Sequence, residues 1–417
     1  MSFGTALTGL NAAKSDLEVI SNNLANSQTV GFKASRAEFA DMFSISRNGL
    51  PRLAIGQGVR LAAVTRQFSQ GQLDHTGNVL DLGIRGNGFF RLNDNGTMVY
   101  SRAGAFQLDQ DGYIVDAHGR RLTGYAANRP NVLTDLQVAI GDVPAKQTNS
   151  MTMIANLQAG SEPPTGPAFP AGQQANFDPD PESYNYSTST TVYDSLGKAH
   201  LMTFYFIKND PAADPAGSAQ WTVRAQVGDT LLAESYTLDF SDVTGALQGG
   251  PANFDFDLTG VIARDTSDDN TPEITVDMSK LSQFGTPSGV TKLSPDGYPP
   301  GQYAGLGIET DGVIYAFYSN GQTLVLGQLA LAEFPSPQNL QPIGDTAWME
   351  TYASGTPLID VPHTSVMGEI QSGSLEMSNV DVSHQLVEMI TAQRAYQANA
   401  KMISTQDQIT QELLNIR

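Results

Sequence analysis

The sequence predicts a mainly β protein with α-helical termini, and three observations predict it. First, apolar residues at both ends recur at helical spacing: Phe3, Ala6, Leu10, Ala13, Leu17, Ile20 and Leu24, then Val382, Leu386, Met389, Gln393, Tyr396, Ala400 and Ile403. Alternating steps of three and four average 3.5 residues, which lays each set along one narrow stripe of a helix able to wind around a partner. Second, the residues between are punctuated by turn pairs such as Asn87-Gly88, Asn95-Gly96 and Asp111-Gly112, separated by short apolar runs. Third, 40 Gly and 22 Pro with only 16% charged residues suit many turns and short strands better than long helices.

The first helix is expected from about Thr5 to Ala25, ending in Asn22-Asn23-Leu24-Ala25-Asn26, because Asn tolerates the left-handed conformation that closes helices and Gly31 tolerates it better. Its stripe needs a partner, since helices are stabilised mostly by packing an apolar face. By periodicity alone that partner can be the helix's own domain or another subunit. Residues 30–70 show no sustained period and read as an extended connector. From Gly71 the pattern turns to β. Met98-Val99-Tyr100 and Tyr113-Ile114-Val115 are short strands. Thr190 to Tyr193, a turn at Asp194-Ser195-Leu196-Gly197, and Leu201 to Ile207 form a hairpin. Trp221 to Val227 alternates, and Val313 to Tyr318 pairs through Asn320-Gly321 with Thr323 to Leu331. Glu369 to Asn379 is polar and leads into the final helix.

Charge narrows the function. The net charge is −20. Residues 148–296 hold nineteen acidic against six basic side chains, a net −13, whereas 1–60 carry +2 and 380–417 carry −1. Nucleic acid is not an expected partner, because phosphate binding needs a basic face. No run approaches the ~20 apolar residues of a membrane span, so membrane insertion is not expected. The start lacks a basic stretch ahead of an apolar core, so no cleaved secretory signal is expected. With no cysteine there is neither disulfide nor thiolate chemistry.

Active-site patterns are wanting. His75, His118, His200, His363 and His384 lie far apart without metal-ligand spacing. Gly197-Lys198 lacks a phosphate loop's upstream glycine, and the glycines of Gly83 to Gly88 fall in the wrong order for a dinucleotide fingerprint. Asp109-Gln110-Asp111-Gly112 begins like a calcium loop, but its glycine comes two positions early. No catalytic residue, metal or cofactor is expected.

Two segments carry a resemblance. Ser21 to Lys33, including Asn22, Asn23, Asn26, Gly31 and Phe32, closely resembles the N-terminal signature of the bacterial flagellar rod and hook proteins. Ser378 to Ser383 and Met389 to Lys401 resemble their C-terminal signature. Within that family, Thr191 to Gly197, Tyr318 to Gln322 and Leu326 to Ala332 resemble the hook members, and the distal rod members lack so large a central insertion.

The resemblance implies nested, discontinuous domains: a terminal helical coiled-coil domain (1–29 and 373–417) lining a tube, a connector (30–70), a β-rich middle domain (71–147 and 297–372) and a β-rich outer domain (148–296). It implies a structural subunit that polymerises with itself into a curved hollow tube outside the cell, a universal joint passing torque from rod to filament. The implied partners are the flagellar rod, the hook cap, the hook–filament junction proteins and the flagellar type III export apparatus. Leu10, Leu17, Ile20, Leu24, Leu386, Met389, Gln393, Tyr396 and Ile403 are then the expected polymerisation seam, meeting mates on other copies. The acidic 148–296 would set curvature through weak contacts. The alternatives are a distal rod protein and, from another class, a secreted enzyme acting on polysaccharide.

Overall fold

The computed structural model describes residues 3–42, 56–138, 141–210, 218–248, 253–262 and 273–415. They form two compact units: Met1–Ile140 with Gly305–Phe317 and Thr323–Arg417, and Gly141–Ala304 with Tyr318–Gln322.

The first unit holds both helices, α1 (Phe3–Ala25) and α2 (Val382–Asn415). α1 begins two residues before the expected Thr5 and ends where the asparagines predict. Residues 30–70 depart from the expectation. Where an extended connector was anticipated, β1 (Ser35–Asp41) and β2 (Val59–Arg66) form an antiparallel pair running from Ser35↔Arg66 to Asp41↔Val59. Both strands are exposed at most positions. With little of either face buried, no apolar alternation is needed, and none marks them. The expected connector's middle, 43–55, lies outside the described residues.

A large antiparallel sheet fills the rest of this unit. Its path passes through Thr323–Leu329, Arg121–Ala126, Phe89–Asp94, Thr97–Ser101, Ala347–Met349 and Gln341–Gly344. The Asn95-Gly96 pair makes the two-residue turn the sequence predicts, with φ of 50° and 97°, joining Asp94 to Thr97. Leu82, Ile84, Phe90, Leu92, Ile114, Leu122, Leu329 and Leu331 fill one core. Edge-to-face aromatics, Phe89, Tyr100, Phe334 and Trp348, fill a second. The polar stretch after 369 is not a plain lead-in to α2. Glu369–Ser372 pairs with Leu82–Arg85, and Ser374–Glu376 with Leu73–His75, so the root of α2 is stitched to strands from the start of the β region.

The second unit contains two five-stranded sheets that share one core, with Met153 and Leu157 from one meeting Phe204, Phe206, Trp221 and Phe240 from the other. The hairpin expected at 190–207 is there, with Thr190↔Met202 in register. Trp221, Val223, Ala225 and Val227 are buried as the alternation predicts, and so are the intervening Arg224 and Gln226. At this unit's margin Asp296 accepts from the main-chain N–H of Asn149 and Ser150, each at 2.9 Å, and pairs with Lys146 at 3.1 Å. Burial alone would raise its pKa, but these hydrogen bonds outweigh it and hold the carboxyl below the usual range. A depressed native pKa adds stability above the unfolded value of about 3.9, lost as pH falls through the native one. Asp296→Asn should therefore melt lower than wild type at pH 7, and the gap should narrow as pH falls below the unfolded value of about 3.9. A gap that is independent of pH in thermal melts would exclude this contribution.

Candidate assembly site: the helix pair and its root

α1 and α2 pack against each other along their length. On α1, Ala6, Ala13, Ile20 and Asn23 are buried, while Leu10, Leu17 and Leu24 are half-buried. Small residues set the approach. A Cβ added at Gly9 would lie 2.8 Å from the Asn399 Oδ1, so the backbones come close there. Among the described side chains of α2 only Ala392 is buried, flanked by half-buried Gln385, Met389, Asn399, Ala400, Ile403 and Gln406.

The contacting stripe of α2 is therefore rotated from the expected one. Met389, Ala400 and Ile403 belong to both. Leu386 (45% exposed), Tyr396 (37% exposed) and Gln393 do not; they face outward with Val387 (64%) and Ile390 (51%). The cause is size. Ala392 and Asn399 let Gly9 and its neighbours approach, and the bulky side chains are left on the other face. The single chain pairs the two helices with each other. α1 has its partner within the same chain, and the face left uncovered is the outer face of α2.

Below the pair, polar side chains lock the helices to the β region. Asn23, buried, accepts from Ser35 N at 2.8 Å and donates to Ser35 O at 2.7 Å and Gln385 Oε1 at 3.1 Å. One amide thus ties α1, β1 and α2 together. Asn26 closes the helix by hydrogen bonding, its N–H and its Nδ2 donating to Asn22 O, and the left-handed conformation expected of an asparagine here is taken up by Gly31 instead. Gly31 adopts φ 70°, and any Cβ there would collide with the backbone of Ala103. Its N–H donates to Glu376 O at 2.7 Å. Phe32, half-buried, continues this turn by donating its N–H to Thr29 O.

The next residue enters the centre of the root. Lys33 Nζ lies 2.6 Å from Glu376 Oε1, with both side chains fully buried, and also donates to Ser69 O. Arg102 Nη1 meets Glu376 Oε2 at 3.2 Å, and Gly71 N donates to Oε1 at 2.8 Å. Burial pushes the pKa of Lys33 and Arg102 down, and Glu376 opposes this in both. Burial pushes Glu333 up, with Arg102 opposing. Two cations and two carboxylates balance. Asn379 completes the root, accepting from Ala34 N at 2.8 Å and donating to Gln67 O at 2.8 Å. Periodicity does not find Glu376, Arg102 or Asn379, because each is a solitary polar residue inside apolar surroundings. The sequence signal for Lys33 and Asn379 is that both fall within the segments that carry the family resemblance.

Among the described residues no group of three or more His, Cys, Asp or Glu could hold a metal ion, and no helix is long and apolar enough to cross a membrane. What the site offers is contact surface on a rigidly rooted helix pair.

Comparison with known proteins fits these segments. Family models match at 3–33 (flagella basal body rod protein), 83–152 (flagellar hook protein FlgE/F/G D1 domain), 156–298 (flagellar basal body protein FlaE D2 domain) and 371–416 (flagellar basal body rod FlgEFG protein C-terminal). The chain is 39% identical to the flagellar hook protein FlgE of Salmonella typhimurium and 38% identical to that of Escherichia coli, over all of both chains in each case. It is 31% identical to that of Borreliella burgdorferi over 99% of this chain and 98% of the relative. Among solved structures, the Helicobacter pylori flagellar hook protein FlgE2 shares the fold, with a TM-score of 0.54 and 14% identity, covering 73% of this chain and all of the other. With helical ends, a β-rich middle and end-to-end identity to these relatives, the chain belongs to the family of bacterial flagellar hook proteins.

Proposed function

We propose that this chain is the structural subunit of a flagellar hook: copies of it assemble into a short, curved, hollow tube that passes torque from the rod to the filament. The observation that carries this reading is the outer face of α2, where Leu386, Val387, Ile390 and Tyr396 stand exposed on a helix held by the buried root. Covering a Leu or Ile side chain is worth about 1.5–3 kcal/mol, so repeated contacts of this kind along a tube would stabilise it. The near-neutral ends suit such burial. The acidic 148–296 suits a face in water whose weak contacts exchange at small cost as the tube bends.

The reading includes residence in the flagellum outside the cell, export by the flagellar type III apparatus without a cleaved signal, and contacts with the rod, the hook cap and the hook–filament junction proteins. It assigns the chain no catalytic activity. Electron microscopy of the purified protein under polymerising conditions tests it. Curved tubes are expected. Straight, rigid tubes would favour the distal rod reading. A protein that forms no tube yet cleaves cell-wall polysaccharide would overturn both.

A further inference from the structure

The first unit holds a cavity of about 510 Å³ beside the helix root, walled by Asn22 of α1, Asn26 just beyond it, Arg66 of β2, His118, Asp345 and Trp348. Its chemistry is unbalanced. Asp345, the carboxylate in this wall, is engaged by His118 Nε2 at 3.4 Å. Arg66 is half-buried, and among the described residues its guanidinium has no hydrogen bond or ion pair. Burial lowers its pKa, and no neighbouring charge opposes the shift. Other deeply placed cations of this unit, Lys33, Arg102 and Arg120, are each held by a carboxylate. Arg66 is thus a guanidinium fork, shaped for a carboxylate, in a cavity whose own walls supply none that is free.

The rest of the cavity suits the same guest. The side-chain amide of Asn22 makes no hydrogen bond to any described residue, since only its main-chain oxygen is engaged by Asn26, so that amide is available as a donor. The opposite wall is a tight turn in which Gly344, Asp345 and Thr346 have φ of 98°, 52° and 51°. A β-branched residue rarely adopts that conformation, and here it holds the turn at the cavity edge. In chemical terms the source of the missing charge is the chain itself, with 43 acidic against 23 basic residues. A neighbouring copy presents mostly carboxylates.

We propose that this cavity receives an Asp or Glu side chain of a second copy in the assembled tube, gripped by Arg66. The proposal rests on the homopolymer reading above. It adds a polar, directional contact to the apolar face of α2, one that fixes how neighbours are set and not merely that they adhere.

Arg66→Lys places a primary amine at the cavity, and carbodiimide joins an amine only to a carboxylate in direct contact. Tubes of this variant should yield an amide bond between position 66 and an acidic residue of another copy, found by mass spectrometry and absent from dilute monomer. Arg66→Gln should raise the subunit concentration left unpolymerised about tenfold, with a weaker dependence on NaCl than wild type and an unchanged monomer melt. If Arg66→Gln polymerises like wild type and position 66 couples only within its own chain, the cavity proposal fails while the hook reading stands. If the wild-type chain forms no tube at all, the hook reading fails and takes the proposed guest with it.

Discussion

Glu376→Gln should destabilise the first unit by about 3–5 kcal/mol, because it leaves two buried cations facing a neutral amide. The native carboxylate accepts from Lys33, Arg102 and Gly71, and glutamine retains its shape but not its charge. For a unit of this size each kcal/mol moves the melting temperature by roughly 2–4 °C, so a fall of about 6–20 °C is expected. Calorimetry would see it in the transition of the first unit, with the second unit unmoved. Glu369→Gln supplies the contrast, since its partner Arg85 is 69% exposed and such surface pairs contribute at most ~1 kcal/mol. Should both variants melt alike, the root does not hold the helices through charge.

Leu386→Asp should leave the monomer as stable as wild type and abolish tube formation. Leu386 is 45% exposed in the single chain, and surface changes of this kind usually stay within about 0.5 kcal/mol. In a tube the same position would bury an unpaired carboxylate, which costs several kcal/mol at each of many identical contacts. Ile403→Asp is a less clean probe. Ile403 is half-buried on the α1 side, so a charge there loosens the helix pair before any neighbour arrives. Normal monomer melting with no tubes in sedimentation and microscopy is the expected result for Leu386→Asp. Tubes of ordinary length would show that this face is not buried.

Much of this fold is legible in the sequence. The terminal helices show in their periodicity, and the hairpins show in Asn95-Gly96 and Asn320-Gly321, where turn chemistry acts locally. The contacting face of α2 is less legible. Counting bulky apolar positions favours Leu386 and Tyr396, whereas close helix approach is governed by Gly9, Ala13 and Ala392, which carry little hydrophobic signal. β1 and β2 escape for a different reason: strands exposed on most positions need no alternation. The short strands Glu369–Ser372 and Ser374–Glu376 find their partners near the start of the β region, too far along the chain for any local pattern to announce. The root combines both difficulties. Lys33, Arg102 and Glu376 are single charges from three distant segments, and only folding reveals that they share one site.

The outer face of α2 is the point on which the assembly reading turns, and it can be measured directly. The chain has no cysteine, so Val387→Cys, at a position 64% exposed, supplies a single thiol on that face. Its rate of alkylation should be fast in the dilute monomer and at least tenfold slower in assembled tubes, as burial at a subunit contact requires. Equal rates in monomer and tube would contradict the claim that neighbouring copies cover this helix.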